Sequence, residues 1–327
     1  MAVSGQVSPA PPPAVEDAAP GPVTFVFGGD VHFEGRVEAS LEGSDAGPLA
    51  GMAGAFAPEE IVVVNLETAI TEAGDAAPKQ FAFRAPPERL DGLVADGVDV
   101  VSLANNHGMD FGVEGLEDTL SAAEAAGLPL IGAGRTAAEA FAPWTAVVGD
   151  HRVAVIAATQ VLDGSLQSAW TAGPSKPGLA SAKSPRLLLD AVARAKAEAD
   201  TVAVMLHWGV ERDTCPTEVQ QELAQALVDA GADIVVGGHA HRLQGAGRLG
   251  SAIVGYGLGN LVFDTPDSSD GAASGMLRVR ADGTGHLDYQ WVPAVLDGGL
   301  PQQLEGAEAD EAIRDWTSRR DCTGLAD

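Results

Sequence analysis

Seven short, nearly continuous apolar runs constrain what this chain can fold into: Val23 to Phe27, Ile61 to Val64, Val98 to Leu103, Val153 to Ala157, Val202 to Leu206, Ile234 to Val236 and Ile253 to Tyr256. Runs this short and this rich in β-branched residues read as strands of sheets covered on both faces. Helical patterns lie between them. One spans Glu114 to Ala126 and stops at Gly127; another spans Pro185 to Ala199. A third spans Pro216 to Ala230 before Gly231, with proline in the first turn and glycine past the end. Strand–helix alternation predicts an α/β fold. Two later runs, Gly275 to Arg280 and His286 to Val292, are joined by Asp282-Gly283, a hairpin signal, so the sheet should be mixed with an antiparallel C-terminal part. Residues 1–22 are rich in Pro and Ala without an apolar period and read as a disordered linker. The expected organisation is that linker, a domain over residues 23–295, and a C-terminal helix and tail over 296–327 packed on the domain. The segments Leu162 to Pro185 and Thr265 to Gly275 are long Gly/Pro/Ser stretches of the kind that are usually functional loops.

With 46% hydrophobic residues the chain can bury a sizeable core, and no run reaches the ~18 consecutive apolar residues of a membrane-spanning helix. There are 46 Asp+Glu against 19 Lys+Arg, a formal charge of −27. That excess excludes a nucleic-acid partner, since phosphate binding needs clustered cations and the longest basic cluster is Arg319-Arg320. The two cysteines, Cys215 and Cys322, are either separate buried thiols or one bridge. The bridge is favoured because Cys322 sits in a polar tail where a lone buried thiol would be out of place. A bridge would put the protein in an oxidising compartment, the cell envelope. No basic segment followed by an apolar one marks the N-terminus, so the expectation is an envelope protein whose export signal is absent from this chain, with the cytoplasm as the alternative.

Chemistry shows in the residues just past each strand. The runs lead into Gly29-Asp30-Val31-His32, Asn65-Leu66-Glu67, Asn105-Asn106-His107 with Asp110 three residues on, His207-Trp208-Gly209-Val210-Glu211, and Gly238-His239-Ala240-His241. In open α/β sheets the ligand crevice lies beyond that edge. Five of the 7 histidines fall there, and at a strand end residues i and i+2 point the same way, so Asp-x-His and His-x-His can converge on one ion. Carboxylates, imidazoles and an amide without thiolate suit Mn, Fe or Zn. Seven candidate ligands exceed the needs of one ion, which favours two divalent metal ions ~3.5–4 Å apart sharing a carboxylate.

At these motifs, together with Tyr256-Gly257-Leu258-Gly259-Asn260, the chain resembles the CapA-type capsule synthesis (poly-gamma-glutamate biosynthesis) family, a branch of the calcineurin-like metallophosphoesterases, over roughly Val23 to Val295. The resemblance implies a four-layer αββα sandwich with two mixed sheets. It implies that Asp30, His32 and His241 hold one metal, that Asn106, His207 and His239 hold the other, and that Glu67 bridges them where the wider superfamily usually has Asp. His107 would be the general acid, oriented by Asp110, and a metal-bridging hydroxide the nucleophile. Arg84, in Lys79 to Pro87, is a candidate anion clamp or a structural strand residue before a proline turn. Asn105 and Glu211 are further candidates for substrate contact, Trp208 reads as packing, and Asn260 as part of a tight turn. The implied function is phosphoester hydrolysis in capsule or poly-gamma-glutamate synthesis or export. Two other readings stay open: a non-catalytic, metal-stabilised assembly component, and an amide hydrolase or transferase on the γ-glutamyl polymer. The implied partners are an anionic envelope substrate or polymer and capsule-synthesis membrane proteins. The −27 charge opposes broad contact with a polyanion, so capture would fall to a local cationic site.

Overall fold

The computed structural model describes residues 19–327 except 45 and 267–269. The Pro/Ala-rich linker expected over residues 1–22 thus lies outside the described residues as far as position 18. Its end is not loose: the Gly21 amide donates to Asp150 Oδ1 (2.6 Å) and the Gly21 carbonyl oxygen lies 2.8 Å from His151 Nδ1. The chain is docked on the Gly149-Asp150 turn before the first strand begins, because that turn offers a carboxylate and an imidazole to backbone groups that would otherwise face only water.

The strands form two mixed sheets. The eight-stranded sheet runs in the order Leu300–Gln303, Leu287–Asp297, Ala273–Ala281, Val23–Val31, Ile61–Leu66, Val100–Ser102 and Leu130–Ile131, with Asn260–Val262 paired to the end of Val23–Val31. The six-stranded sheet runs Ala246–Leu249, Ala252–Gly255, Ile234–Gly238, Thr201–His207, His151–Thr159, Trp144–Val148. In the larger sheet Val23–Val31 pairs in parallel with Ile61–Leu66 and antiparallel with Ala273–Ala281, which continues the antiparallel part through the hairpin across Asp282-Gly283; in the smaller sheet the inner pairs are parallel and the two edge pairs antiparallel.

The two-residue side-chain period of each strand sorts the apolar residues into layers. Phe25, Phe27 and Val63 of the first sheet meet Val155, Met205 and Val236 of the second in the core between the sheets. Val26, Val62 and Val64 face outward onto Leu90 and Leu93 of the helix Glu88–Ala95 and Leu116 of the helix Gly112–Ala126. On the other side Ile156, Val202 and Val204 pack against Leu188 of the helix Arg186–Lys196 and Leu223 and Leu227 of the helix Glu218–Asp229. This gives helix, sheet, sheet, helix. Each fully buried aliphatic or aromatic side chain contributes roughly 1.5–3 kcal/mol, which is why near-continuous apolar strands end up inside.

Several boundaries depart from the sequence reading. Pro216 lies outside its helix, because Thr217 caps it: the Thr217 hydroxyl accepts from the Gln220 amide and Gln220 reaches back to the Thr217 amide, a reciprocal capping box. The segment Leu162 to Pro185 is structured, with a short helix Gln167–Trp170 and a strand Gly178–Leu179 paired to Ala133–Gly134; burial of Trp170 and Leu179 holds it down. The segment Thr265 to Gly275 enters its strand at Ala273, and its residues 267–269 lie outside the described residues. No helix among the described residues is long and apolar enough to cross a membrane.

The C-terminal helix Gly306–Ser318 stacks Trp316 on Trp291 (ring centroids 4.9 Å, interplanar 9°), and the turn after it brings Cys322 into a disulfide with Cys215, 107 residues away. A cross-link closing so long a loop restricts the unfolded chain strongly. Cys322→Ser should therefore lower unfolding stability by about 3 kcal/mol, read as a fall in denaturation midpoint, and expose the tail to protease before the rest of the chain unfolds.

Candidate metal centre

The C-terminal ends of the parallel strands of both sheets meet at one edge, and backbone features without side chains make the meeting possible. Asp30 lies opposite Asn65 on one side and Asn260 on the other. Its carboxylate crosses to the second sheet, where Oδ2 accepts the His239 amide (3.0 Å). A Cβ on Gly238 would collide with Asp30 Oδ1, so that strand must end in glycine for the sheets to close here. His239 and His241 follow with φ of 88° and 50°, a conformation unfavourable for side-chain-bearing residues. Thus His239 and His241 are aimed by a left-handed turn past the strand end, and not by the i, i+2 pleat expected from the sequence.

The donors form two groups, each with its atoms within 4.8 Å of one another: Asp30, Glu67 and His207, and Glu67, His239 and His241. Glu67 belongs to both. It is fully buried, and both carboxylate oxygens are without a hydrogen-bond partner; His239 Nδ1 is likewise buried and unpartnered. His207 Nε2 lies 3.4 Å from Glu67 Oε1, with His241 Nε2 and His107 Nε2 each at 3.9 Å. Asn106 Oδ1 is 2.7 Å from His207 Nε2. A buried carboxylate without donors is costly unless a cation compensates it. Carboxylates and imidazoles with free lone pairs, aimed at common points, are the donor set that divalent cations take, so the residues fit metal.

The electrostatics carry the same message. Burial, reinforced by repulsion from Asp30, pushes the Glu67 carboxyl up to about 8. Burial opposes the Asp30 charge too, but the hydrogen bond from His241, the neighbouring imidazoles and the His239 amide hold it down to about 2. Burial depresses His207 to about 3 and His239 to about 2, leaving both rings neutral and able to ligate. Burial also works against His241, yet Glu67 and Asp30 raise it to about 9.

Beside the donors stands a second constellation. Asp110 is fully buried and accepts from Lys79 Nζ (2.9 Å to Oδ1), from the Phe83 amide (2.7 Å) and from His107 Nδ1 (2.6 Å, both to Oδ2). Phe83 stacks on the His107 ring at 4.2 Å. With Nδ1 committed to Asp110, Nε2 of His107 faces Glu67. Lys79 also donates to the Asn106 carbonyl (2.6 Å), lies 3.6 Å from Asp163, and sits 5.4 Å from the Trp170 ring centroid, so the segment after Leu162 closes over it.

The remaining residues singled out in the sequence stand around this centre. His32 stands outside both donor groups: its Nε2 accepts the Asp264 amide (2.8 Å) and its ring lies against Phe83 and Phe263, leaving only a buried Nδ1. Glu67 is the residue common to the two groups, in which His207 stands with Asp30 and His239 with His241. Asn105 is fully buried and donates to Asn65 Oδ1 (3.1 Å) and the Leu66 carbonyl (2.8 Å) while accepting the His107 amide (2.9 Å). It braces two strand ends. Glu211 is exposed and acts on His207 only through its charge. Arg84 is exposed, with its guanidinium 4.9 Å from the Phe111 ring centroid. Trp208 packs fully buried against Tyr256. Asn260 is a strand residue, not a turn residue; its Oδ1 lies 2.8 Å from His241 Nδ1. Two contributors were missed in the sequence. Asn65 Nδ2 donates to Asp30 Oδ1 (2.8 Å) and lies 3.2 Å from His207 Nδ1, and Lys79 organises Asp110. Asn65 was visible as the polar residue at a strand end; nothing local distinguishes Lys79.

Residues 24–265 match the family model described as "Bacterial capsule synthesis protein PGA_cap". The chain belongs to that family. It is 36% identical over 240 residues to "Capsule biosynthesis protein CapA" of Bacillus anthracis, covering 71% of this chain and 56% of that protein. It is 30% identical over 270 residues to "PGA biosynthesis protein CapA" of Bacillus subtilis, covering 80% and 69%. This PGA_cap chain thus spans little more than half the length of the first of these relatives. Among solved structures, a hypothetical protein from Thermus thermophilus aligns over 83% of this chain and 99% of its own at 15% identity and a TM-score of 0.48.

In the metal-free PGA_cap protein, Glu67 and His241 hold protons that the unfolded chain releases. The cost of burying Glu67 grows as pH rises from 4.5 to about 8, and the stability supplied by protonated His241 is full below 6.5 and lost toward about 9. Both run the same way, so the melting temperature of chelator-treated protein should fall from pH 6.5 to 9, while Mn- or Zn-loaded protein stays level. Glu67→Gln should stabilise the metal-free form by about 1–3 kcal/mol and abolish metal uptake, measured by calorimetry and elemental analysis.

Proposed function

We propose that this PGA_cap chain is a di-metal hydrolase that cleaves phosphoester bonds in an anionic envelope substrate during capsule or poly-gamma-glutamate synthesis, working outside the cytoplasm. One observation carries the reading: a fully buried carboxylate, Glu67, lies unpartnered between two donor groups. Asp30, Glu67 and His207 would hold one divalent ion, and Glu67, His239 and His241 the other, with Asn106 beside His207. Bound there, the ions would supply Lewis acidity toward phosphoryl oxygens and make water more acidic.

The chain's own groups supply the rest. Asp110 accepts from Nδ1–H of His107, which puts the transferable proton on Nε2, the nitrogen that faces Glu67. As the P–O bond breaks, that proton passes to the leaving oxygen while the Nδ1–H stays with Asp110. Lys79 and the Phe83 amide fix Asp110, and the Phe83 ring fixes the imidazole plane. The bonded pair Cys215–Cys322 supports an oxidising location. The capsule and PGA biosynthesis names of the relatives support the pathway.

With Mn- or Zn-loaded protein and an aryl phosphodiester, His107→Asn should lower kcat by about 10²- to 10⁴-fold without changing metal content. Lys79→Met should lower kcat less than His107→Asn does, because Lys79 acts through Asp110. An unchanged rate in His107→Asn would remove the proposed acid. A metal-loaded wild type inert on phosphoesters would refute the reading, in favour of amide cleavage if it shortens γ-glutamyl polymer and of a non-catalytic role if it does not.

A further inference from the structure

Aromatic rings border the candidate metal centre on the side that faces solvent. Asp30, Glu67, His207 and His239 are buried, whereas the His241 side chain is 20% exposed, so the centre opens along His241. Phe263 lies against that imidazole (ring centroids 4.5 Å) and meets the Phe83 ring edge-on at 6.5 Å. Phe83 in turn stacks on His107. Both phenylalanines are half-buried, so each still gives part of its ring to solvent. A phenyl border thus runs from His241 of the donor set to His107.

That border continues outward through Phe81. Its ring lies 6.5 Å from Phe83 with an interplanar angle of 29°, and Phe83 lies 4.2 Å from His107 at 25°. Phe81, Phe83 and His107 form one offset stack, an arrangement that the ring quadrupoles favour. The segment that carries it is pinned on both sides of Phe81, since Lys79 Nζ and the Phe83 amide both donate to Asp110. Yet Phe81 is 58% exposed, belongs to none of the core clusters, and among the described residues meets no ring other than Phe83. A single exposed phenylalanine is ordinary on a protein surface. This one is the outer end of a stack whose inner end is the proton donor, and holding it in water forgoes the stabilisation that burial would give.

We infer that Phe81 is a specificity-determining residue, whose exposed ring receives an aryl group carried by the leaving oxygen of the substrate. His107 hands its Nε2 proton to that oxygen, so the leaving group comes to the side on which the stack stands. A flat aromatic ring extends the stack; a saturated chain covers the same apolar surface without a π face to add, and a charged, hydrated group gains nothing from phenyl faces. The inference deepens the proposed function by naming the leaving group, and it rests on that reading for the reaction.

Calorimetry on the Mn-loaded full chain separates binding from hydrolysis. The probes are benzylphosphonate, which places a ring one atom from phosphorus and cannot be hydrolysed there, and its methyl and cyclohexylmethyl counterparts. Benzylphosphonate should bind about tenfold more tightly than methylphosphonate. Phe81→Ala should abolish that difference and Phe81→Trp should keep it, with methylphosphonate affinity unchanged in both variants as the control for folding. On a phenyl phosphodiester, Phe81→Ala should raise KM several-fold with little change in kcat. Equal affinity for the benzyl and methyl probes, a benzyl preference that survives Phe81→Ala, or a cyclohexylmethyl probe that binds as tightly as the benzyl one would overturn the inference. A benzyl preference lost in Phe81→Ala, in a protein inert on phosphoesters, would uphold the ring site and sink the hydrolase reading alone. Hydrolysis without any benzyl preference would sink the ring site alone, and a protein that binds no phosphonate would lose both.

Discussion

Everything at this edge of the molecule depends on one electrostatic problem: the Glu67 carboxylate is sealed between two sheets with no hydrogen-bond donor of its own. Protein interiors do not tolerate a lone carboxylate; the group either takes a proton or acquires a cation. The surrounding residues make the second solution the productive one. Asp30 stays ionised because an amide and imidazoles surround it, and His207 and His239 stay neutral because burial forbids their charge. The fold gathers negative charge and free lone pairs in one small volume, the donor set that a metal ion takes.

Holding that volume together costs the backbone something. His239 and His241 occupy positive φ, and Gly238 gives up its side chain so that Asp30 can reach across. Strain of this kind persists only where the surroundings over-determine it. Here the surroundings are the amide and amide-carbonyl contacts of Asn65, Asn105 and Asn260, three buried asparagines that tie strand ends to one another or to Asp30 and His241. They serve the geometry without touching the chemistry.

Much of this was legible in the sequence, and the reasons it was legible are physical. Short β-branched runs alternating with 3.6-period segments can bury their faces only as covered sheets, so the layers followed from Val62, Val64, Ile156 and Val204. Polar residues at five strand ends located the site because such ends share an edge. What the sequence does not carry is the direction in which each side chain turns. His32 sits two residues beyond Asp30, but the chain leaves the strand at that point and the ring turns to the Asp264 amide. Asn105 and Asn106 are neighbours with opposite fates, one buried as a brace and one beside His207. Lys79 was hidden because its partners, Asp110, Asp163 and Trp170, are brought to it only by tertiary folding.

The Cys215–Cys322 bond has a reach beyond the tail it anchors. Cys215 lies in the connection that leaves His207, and the carbonyls of Asp213 and Cys215 both accept from Gln244, which also bonds Gln220. The tail is thereby leashed to the segment that leaves His207, a histidine of the candidate metal centre. Reducing that bond would release the tail from the segment and leave the Gln244 and Gln220 contacts to hold it alone.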